Sequence, residues 1–332
     1  MMKNQTQKIS FNNEPSTSLC DKIDLFVSCI GYEDRSFYIY NKLIDRLNSE
    51  NLLLFTVDDY ADYPDAKKII DEAIAKGVTC PIVRYSDSEF VQKKILEKVI
   101  GVISKNETAK IHIDYSSMPR GWYCKLPELL SQRISLLDKV YFWYSEGVYS
   151  QFDNEYPTVG IDSYVLYSGK PSLVDRRRTH FIGVGYDSIR TSGIITLLNP
   201  ESVVTCAANN PTRDDVIQKV KAVNKEIMDE SFMNLSLDIT DIEFMIAKLS
   251  GIVNEIYTIA HNDVVIIPDG PKPLIFAMSM IPWIVNEPGV CCLHIIRNDN
   301  IFKPNNVKAL GNNFTSSFSD DDHIIGFSIA KQ

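Results

Sequence analysis

Residues 263–278, DVVIIPDGPKPLIFAM, decide how the rest of the chain is interpreted. A short apolar run from Val264 leads into the turn-forming residues Pro268 to Pro271, after which Lys272 opens a longer apolar run. A short apolar run bounded by turn residues predicts a strand buried on both faces, and the longer run predicts a helix that begins near Lys272. A strand, a turn and a helix in this order are the building block of a parallel α/β sheet.

The same building block recurs along the chain, because apolar runs alternate with amphipathic stretches. The predicted strands include 22–30, 51–57, 78–85, 110–116 and 139–145, and, after a break, 179–187, 202–208, 263–269 and 289–298. We therefore predict an α/β fold: two tandem Rossmann-like units with mainly parallel sheets, related by internal duplication. The predicted boundaries are a polar leader at 1–20, a first domain at 21–150, a connecting segment at 151–178 and a second domain at 179–332 that ends in the strand HIIGFSIA.

A repeated set of residues supports the duplication. Arg120 lies 89 residues after Gly31, and Lys272 lies 87 residues after Gly185, each cation directly following a proline. Each glycine follows a predicted strand and precedes an aromatic residue, a guanidinium and a hydroxyl: Tyr32, Arg35 and Ser36 in the first half, Tyr186, Arg190 and Thr191 in the second. Repeats of this length indicate paired domains rather than a solenoid of short units.

These residues are typical of an anion-binding site. In open parallel sheets, ligands bind beyond the carboxyl ends of the strands, where helix N-termini present free N–H groups. Glycine permits close backbone approach, guanidinium and ammonium groups attract phosphate, and the two tyrosines could stack on a base. The candidate ligand-binding residues are Gly31, Tyr32, Arg35, Ser36, Ser117, Arg120, Gly185, Tyr186, Arg190, Thr191, Asp269, Gly270 and Lys272.

A purely local interpretation of each motif stays open. A Gly-Tyr pair after a strand is also ordinary turn chemistry, and a Pro-Arg or Pro-Lys pair is also an ordinary helix start with a solvated cation. In that interpretation Arg35 pairs with Glu33, and Arg190 pairs with Asp187. The aromatic run at 141–144 is likewise interpreted first as core packing.

The segment VVIIPDGPKPLIFAM resembles the strand, Gly-Thr-Lys-Pro and helix signature of CARF-like domains, with Pro271 in place of the threonine. These are Rossmann-like sensors of prokaryotic immune systems that bind cyclic oligonucleotides and related nucleotides, and the tandem arrangement resembles their fused forms, including SAVED-type sensors. The likeness spans about 22–145 and 179–330, and the first half departs further because its Ser117-Met118-Pro119-Arg120 has no glycine before the cation. The resemblance implies a nucleotide ligand held between the halves, a role in antiviral defence and a separate effector as partner.

Two other classes of function remain open. A nucleotide-processing enzyme, of the glycosidase, transferase or phosphodiester hydrolase type, would use a carboxylate at a strand end, and the candidates are Asp114, Asp187 and Asp269. The alternative is that these acids have a structural role, in helix capping or ion pairing. A structural subunit with an unliganded repeat is the third class.

Composition narrows the remaining possibilities. The net charge of −9 disfavours general binding to nucleic acid or to anionic membranes. The seven cysteines form no CxxC pair, the start of the chain lacks the apolar core of a signal peptide, and no apolar run is long enough to cross a membrane, so we expect a cytoplasmic protein. The five histidines form no HExxH motif, and GxSxG and GxxxxGK[ST] motifs are absent, so we expect neither a metal nor a cofactor.

Overall fold

The computed structural model describes residues 9–148, 161–211, 213–297, 308–309 and 322–332. The chain divides into two compact units, one formed by Met1–Ser150 with Pro304–Gln332 and the other by Gln151–Lys303. Each described unit contains one large sheet with helices beside its strands.

The described strands are β1 (Ile9–Glu14), β2 (Leu25–Ile30), β3 (Leu52–Val57), β4 (Ile82–Val83), β5 (Lys110–Asp114), β6 (Lys139–Ser145), β7 (Gly147–Val148), β8 (Ile161–Gly169), β9 (Arg178–Val184), β10 (Ser202–Asn209), β11 (Met233–Asp238), β12 (Asp263–Ile267), β13 (Val290–Arg297), β14 (Lys308–Ala309) and β15 (Ile324–Lys331). The described α-helices are α1 (Tyr38–Leu43), α2 (Pro64–Ala75), α3 (Ser88–Ile103), α4 (Arg120–Tyr123), α5 (Leu126–Ser131), α6 (Ser188–Leu198), α7 (Asp214–Val223), α8 (Lys225–Glu230), α9 (Ile242–Thr258) and α10 (Lys272–Val285). Short 3-10 turns occupy Ser16–Cys20, Asp34–Phe37, Ile44–Arg46 and Asp58–Tyr60.

The two large sheets share one strand order. The first runs β1-β15-β6-β5-β2-β3-β4, and the second runs β11-β10-β9-β12-β13-β8. When the five parallel strands of each unit are numbered in chain order, both sheets follow 3-2-1-4-5, which is the order of a doubly wound Rossmann-like half. The predicted fold class is therefore confirmed, and the shared order is consistent with internal duplication.

Each sheet also carries an antiparallel strand beside its fifth parallel strand, and in the first sheet this strand comes from the far end of the chain. β8 follows the first unit's parallel strands in sequence but pairs with β13 of the second sheet. β15 follows the second unit's parallel strands but pairs with β6 of the first sheet, and β1 covers its other side. The second sheet is thus formed by one continuous segment of the chain, whereas the first sheet is completed by a strand that follows the second unit.

The positions of these strands correct the predicted domain boundaries. The predicted second domain, 179–332, wrongly contained the final strand, which belongs to the first sheet. The predicted polar leader contains β1, and the predicted connecting segment contains β8. β11 was not predicted, because the alternating strand MNLSLD buries one face and lacks a continuous apolar run. Residues 1–8 and 151–160 of these predicted segments lie outside the described residues.

Burial explains the strand patterns. Every residue of β2, β3 and β12 is buried, as expected for central parallel strands that are covered on both faces. α10 begins at Lys272 as predicted and is buried from Pro273 to Pro282, so most of this helix lies in the core of the second unit. α9 buries residues three or four positions apart, and its N-cap Asp241 accepts a hydrogen bond from the Phe244 N–H at 2.9 Å.

A buried histidine makes the stability of the first unit sensitive to pH. His112 is fully buried on β5, stacks on Tyr141 with 4.4 Å between ring centroids, and accepts a hydrogen bond from Nε1 of Trp143 at 3.1 Å. Burial lowers the pKa of His112 from 6.5 to about 3. As the pH falls, the unfolded chain therefore binds this proton before the folded chain does. The contribution of neutral His112 to stability is complete above pH 6.5 and is lost as the pH falls towards 3.

We expect the free energy of unfolding to fall by up to about 1.4 kcal/mol per pH unit between these two values through His112 alone. Urea unfolding at several pH values, compared with His112→Gln, isolates this contribution because the other titrating groups are shared. Glutamine retains an acceptor for Trp143, so the variant should show a flatter dependence. Parallel curves for the two proteins would contradict the prediction.

Candidate functional site

The repeated residues of both units lie at the same topological position. In the order 3-2-1-4-5, the first and fourth parallel strands are neighbours, and the connections that leave them run in opposite directions across the sheet. These strands are β2 and β5 in the first unit and β9 and β12 in the second. A crevice at the carboxyl ends of such a pair is the usual ligand position in this class of sheet.

In the first unit, the loops after β2 and β5 touch. A methyl group placed on Gly31 would lie 3.4 Å from Cβ of Ser117, so the two loops approach to van der Waals distance. Ser36 donates a hydrogen bond to the Gly31 carbonyl at 3.2 Å and closes the turn that follows β2. Gly31, Ser36 and Ser117 are therefore brought together, as the sequence predicts.

Arg35 is held rigidly beside this turn. It is buried, its Nε lies 2.5 Å from Oε2 of Glu33, and its Nη1 donates to the Tyr144 hydroxyl at 2.8 Å. The local interpretation of Arg35 as the ion-pair partner of Glu33 is therefore correct for this residue. Tyr144 was expected only as core packing, and its hydroxyl instead helps to orient a guanidinium at the carboxyl edge.

In the second unit, backbone meets backbone at the equivalent point. A methyl group on Gly185 would lie 3.5 Å from Cα of Gly270, and Gly270 itself has φ +96°, a conformation that favours glycine. Gly183 is closer still, since its methyl group would lie 2.2 Å from the Asp269 carbonyl oxygen. Asn224 donates to the Gly185 carbonyl at 2.7 Å, a contact that no sequence motif indicated.

An ion pair joins the two loops of the second unit. Nη2 of Arg190 lies 3.1 Å from Oδ2 of Asp269, and both side chains are largely buried. The predicted partner of Arg190, Asp187, instead caps α6 by accepting the Arg190 backbone N–H at 2.9 Å. Thr191 donates to the Asp187 carbonyl at 3.1 Å, much as Ser36 closes the turn of the first unit.

The two predicted cations occupy equivalent places. Arg120 and Lys272 are the first residues of α4 and α10, each after a proline N-cap, and both are half-buried. α4 has 4 residues and α10 has 14, so only α10 carries a substantial helix dipole. Of the two positions, Lys272 is therefore better suited to attract an anion.

The aromatic surroundings of the two crevices differ. The ring centroid of Tyr32 lies 4.6 Å from that of Tyr60 and 5.8 Å from that of Tyr63, so three tyrosines cluster in the first unit. Burial raises the pKa of Tyr32 and of Tyr60 well above the ordinary value, so both phenols stay neutral. In the second unit, the Lys219 ammonium lies 5.7 Å from the Tyr186 ring. Tyr60 and Tyr63 were not predicted, although their position directly after β3 is the signal that could have found them.

The three candidate catalytic acids all have hydrogen-bonding or ionic partners. Asp114 is buried and accepts hydrogen bonds from Ser28 at 3.2 Å and from the Ser116 backbone at 2.9 Å and hydroxyl at 2.5 Å. Asp187 caps a helix, and Asp269 pairs with Arg190. Each carboxylate therefore has a structural task at its strand end.

The final strand, β15, brings further charged groups to the carboxyl edge of the first sheet. Asp322, directly before β15, accepts hydrogen bonds from Tyr38 and Lys42 of α1, both at 2.6 Å. Nδ1 of His323 lies 3.5 Å from Oε2 of Glu146. Sequence reasoning missed this cluster because it assigned the final strand to the other domain.

Neither a metal-binding cluster nor a membrane-spanning helix occurs in the described ranges. Within them, His, Cys, Asp and Glu side chains form no group of three or more that could hold a metal ion. In the same ranges, no helix combines the length and apolar character needed to span a membrane.

Comparisons with known proteins add little. No protein-family model matches this chain, and no curated protein matches it. Among solved structures, a multidomain structure of a keto acid-selecting NRPS module, with adenylation, ketoreductase and pseudo Asub domains, aligns at 12% identity and a TM-score of 0.20. That alignment covers 80% of this chain and 28% of the other, and at this TM-score it carries no argument about fold or function.

Proposed function

We propose that the protein is a sensor that binds a nucleotide or another phosphorylated small molecule and passes the binding on to a partner effector. The observation that carries the proposal is the repeated meeting of two loops at the switch point of each sheet, Gly31 with Ser117 and Gly185 with Gly270. In each unit a cation opens the helix that follows the second loop. The resemblance to CARF-like and SAVED-type sensors supports a place in antiviral defence.

The second unit offers the better anion site. Lys272 begins α10, so its positive charge and the N-terminal dipole of this helix lie at the same edge of the sheet as the Arg190–Asp269 ion pair. The absence of side chains at Gly185 and Gly270 lets the two loops meet closely at this edge. These contacts suit a phosphate or a similar anion better than a neutral ligand.

Binding without turnover is the favoured form of this proposal. A catalytic carboxylate needs an open face towards its substrate, whereas Asp114, Asp187 and Asp269 are engaged in hydrogen bonds or an ion pair. All seven cysteines are free thiols, which suits a reducing compartment, and we place the protein in the cytoplasm.

The first test is a thermal-shift screen of the full chain against mononucleotides, dinucleotides, NAD-type compounds and cyclic oligonucleotides. A ligand at about 100 times its dissociation constant adds roughly 2.7 kcal/mol, which raises the melting temperature by a few degrees. Lys272→Ala should weaken binding of the stabilising compound about tenfold to a hundredfold, because one charge-assisted contact is lost.

Lys221→Ala is the matched control, because it removes an exposed lysine from α7 of the same unit and should leave affinity unchanged. Wild-type affinity in Lys272→Ala would contradict the proposed site. Chromatography of the ligand after incubation separates sensing from catalysis. If the ligand is consumed by the wild-type protein but not by Asp269→Asn, the protein is a nucleotide-processing enzyme rather than a sensor. If no compound shifts the melting temperature, a structural subunit is favoured.

A further inference from the structure

The second sheet ends in an apolar strand whose outer edge is open. β8 pairs with β13 on one side, and among the described strands none pairs with its other side. Tyr164, Val165 and Leu166, in the middle of β8, are 50%, 44% and 47% exposed. Successive residues of a strand point to opposite faces, so the middle of this strand is open on both faces as well as along its edge. An edge of this kind can pair with a further strand.

The first sheet closes the equivalent edge with an antiparallel strand. β15 holds the same place there, antiparallel to the fifth parallel strand. β1 pairs with the outer side of β15, from Ile9 opposite Lys331 to Glu14 opposite Gly326, and residues 325–329 of β15 are buried. Within the described ranges, the two related sheets therefore differ at this position, because one has a covering strand and the other has none.

The open edge is held in place at both ends. Near one end, a methyl group on Gly193 of α6 would lie 3.4 Å from Cδ1 of Ile161, so this helix packs against the start of β8. Near the other end, the Ser168 hydroxyl donates to the Ser279 carbonyl of α10 at 3.4 Å. β8 is therefore already in the extended conformation that an incoming strand needs, which lowers the entropic cost of pairing.

The middle of this edge lacks the usual features that prevent strand pairing. Proteins protect exposed edges with charged residues, with proline or with β-bulges. Residues 163–169, SYVLYSG, contain no charged residue and no proline. The register with β13 shifts near both ends of β8 but is regular from Ser163 to Leu166, opposite Ile296 to Leu293. A straight, uncharged segment is therefore available at the centre of the strand.

A second copy of this chain is the partner that fits this edge. The first sheet accepts an antiparallel strand at the equivalent place, and a two-fold axis perpendicular to the sheet makes two copies of β8 antiparallel. An axis that passes beside Val165 places Tyr164 opposite Leu166 of the second copy and Val165 opposite its own counterpart. Aromatic and β-branched residues in such cross-strand pairs stabilise antiparallel sheets, and no like charges face each other along residues 163–167.

We propose that the outer edge of β8 is a homodimer interface, at which two copies of the second sheet join into one continuous sheet. The main-chain N–H and C=O groups that point away from β13 form the hydrogen bonds, and the apolar side chains at 164–166 set the register. The interface is distinct from the proposed ligand site, because β13 separates β8 from β12, a strand of the crevice.

Sedimentation equilibrium of the full chain, at concentrations from about 1 to about 100 μM, tests whether the dimer forms. A single pair of strands makes a small interface, so we expect a reversible dimer with a dissociation constant in the micromolar range. Val165→Lys places two ammonium groups opposite each other at the two-fold axis and should weaken the dimer about tenfold or more. Val223→Lys is the matched control, because Val223 is 39% exposed on α7 of the same unit and its replacement should not change the dimer.

Cross-linking shows whether the dimer forms at this edge. Opposite residues of an antiparallel pair have Cα atoms about 4.5–5.5 Å apart, which is within the range of a disulfide. On mild oxidation, Val165→Cys should therefore form a disulfide-linked dimer far faster than Val223→Cys or the wild-type chain, in which the exposed Cys20 sets the background.

Three results would overturn the proposal. The chain could be monomeric throughout this concentration range, a folded Val165→Lys variant could dimerise as well as the wild type, or Val165→Cys could cross-link no faster than Val223→Cys. A failure here leaves the Lys272 experiment unaffected, because neither measurement involves the ligand site.

Discussion

Replacing Lys42 by methionine is expected to lower the free energy of unfolding of the first unit by about 3–5 kcal/mol. Nζ of Lys42 lies 2.6 Å from Oδ1 of Asp322, and the two side chains are only 3% and 1% exposed. Methionine fills much of the lysine volume but removes the ammonium group, whereas the Tyr38 hydroxyl still donates to the buried carboxylate. The cost comes from removing the cation that lies beside a buried carboxylate rather than from a cavity.

Equilibrium urea unfolding, followed by tryptophan fluorescence and hydrogen exchange, measures this effect. Hydrogen exchange assigns the change to the first unit, which matters because a chain with two units need not unfold in one step. Lys67→Met removes the exposed pair with Asp71 and should cost less than about 0.5 kcal/mol. Adding Asp322→Asn to Lys42→Met should recover much of the loss, because the double variant buries no unpaired charge. A cost below about 1 kcal/mol for Lys42→Met would contradict the prediction.

Replacing Gly183 by alanine is expected to cost about 3 kcal/mol and to disrupt the crevice of the second unit. The new methyl group would lie 2.2, 2.5 and 2.8 Å from the carbonyl oxygen, nitrogen and carbonyl carbon of Asp269. These are backbone atoms, so the clash cannot be relieved by rotating a side chain. The loop must move away from β9, taking with it the carboxylate that pairs with Arg190 and the glycine that precedes α10.

Two measurements test this displacement. Urea unfolding reports the cost in stability, and titration with the compound found in the thermal-shift screen should show at least a tenfold loss of affinity. Gly251→Ala is the matched control, since no atom lies within 4 Å of the new methyl group and alanine should stabilise α9 by about 0.5–1 kcal/mol. Wild-type stability and affinity in Gly183→Ala would contradict the prediction, because the loop after β12 would then move away from β9 at no cost.

Much of the architecture could be predicted because it depends on local patterns. Runs such as LFVSCI and DVVII are apolar on both faces, which requires a sheet covered on both sides and therefore parallel strands joined by helices. The spacing from Gly31 to Arg120 and from Gly185 to Lys272 reflects the same strand order in both units. Proline before each cation marks the helix starts that the structure shows.

The partners of the charged site residues were less predictable. Arg35 pairs with its near neighbour Glu33, which sequence proximity allowed, whereas Arg190 reaches Asp269 on another loop. Proximity along the chain favoured Asp187 as the ion-pair partner of Arg190. The Asp187 carboxylate instead accepts the backbone N–H of Arg190 and caps α6. The tyrosines after β3 join Tyr32 because the first and second parallel strands are neighbours in the sheet.

The sequence by itself determined the two α/β units, their repeated motifs and the strand ends where those motifs lie, because apolar periodicity and turn residues act over short distances. Only the tertiary structure decided which sheet receives the antiparallel strands β8 and β15. The backbone N–H and C=O groups of such a strand can form hydrogen bonds at the edge of either sheet, so the residues of the strand do not by themselves specify which sheet it joins. Contacts far apart in the chain identify the pairing, as where Lys42 meets Asp322 and where Gly326 leaves room for Trp143.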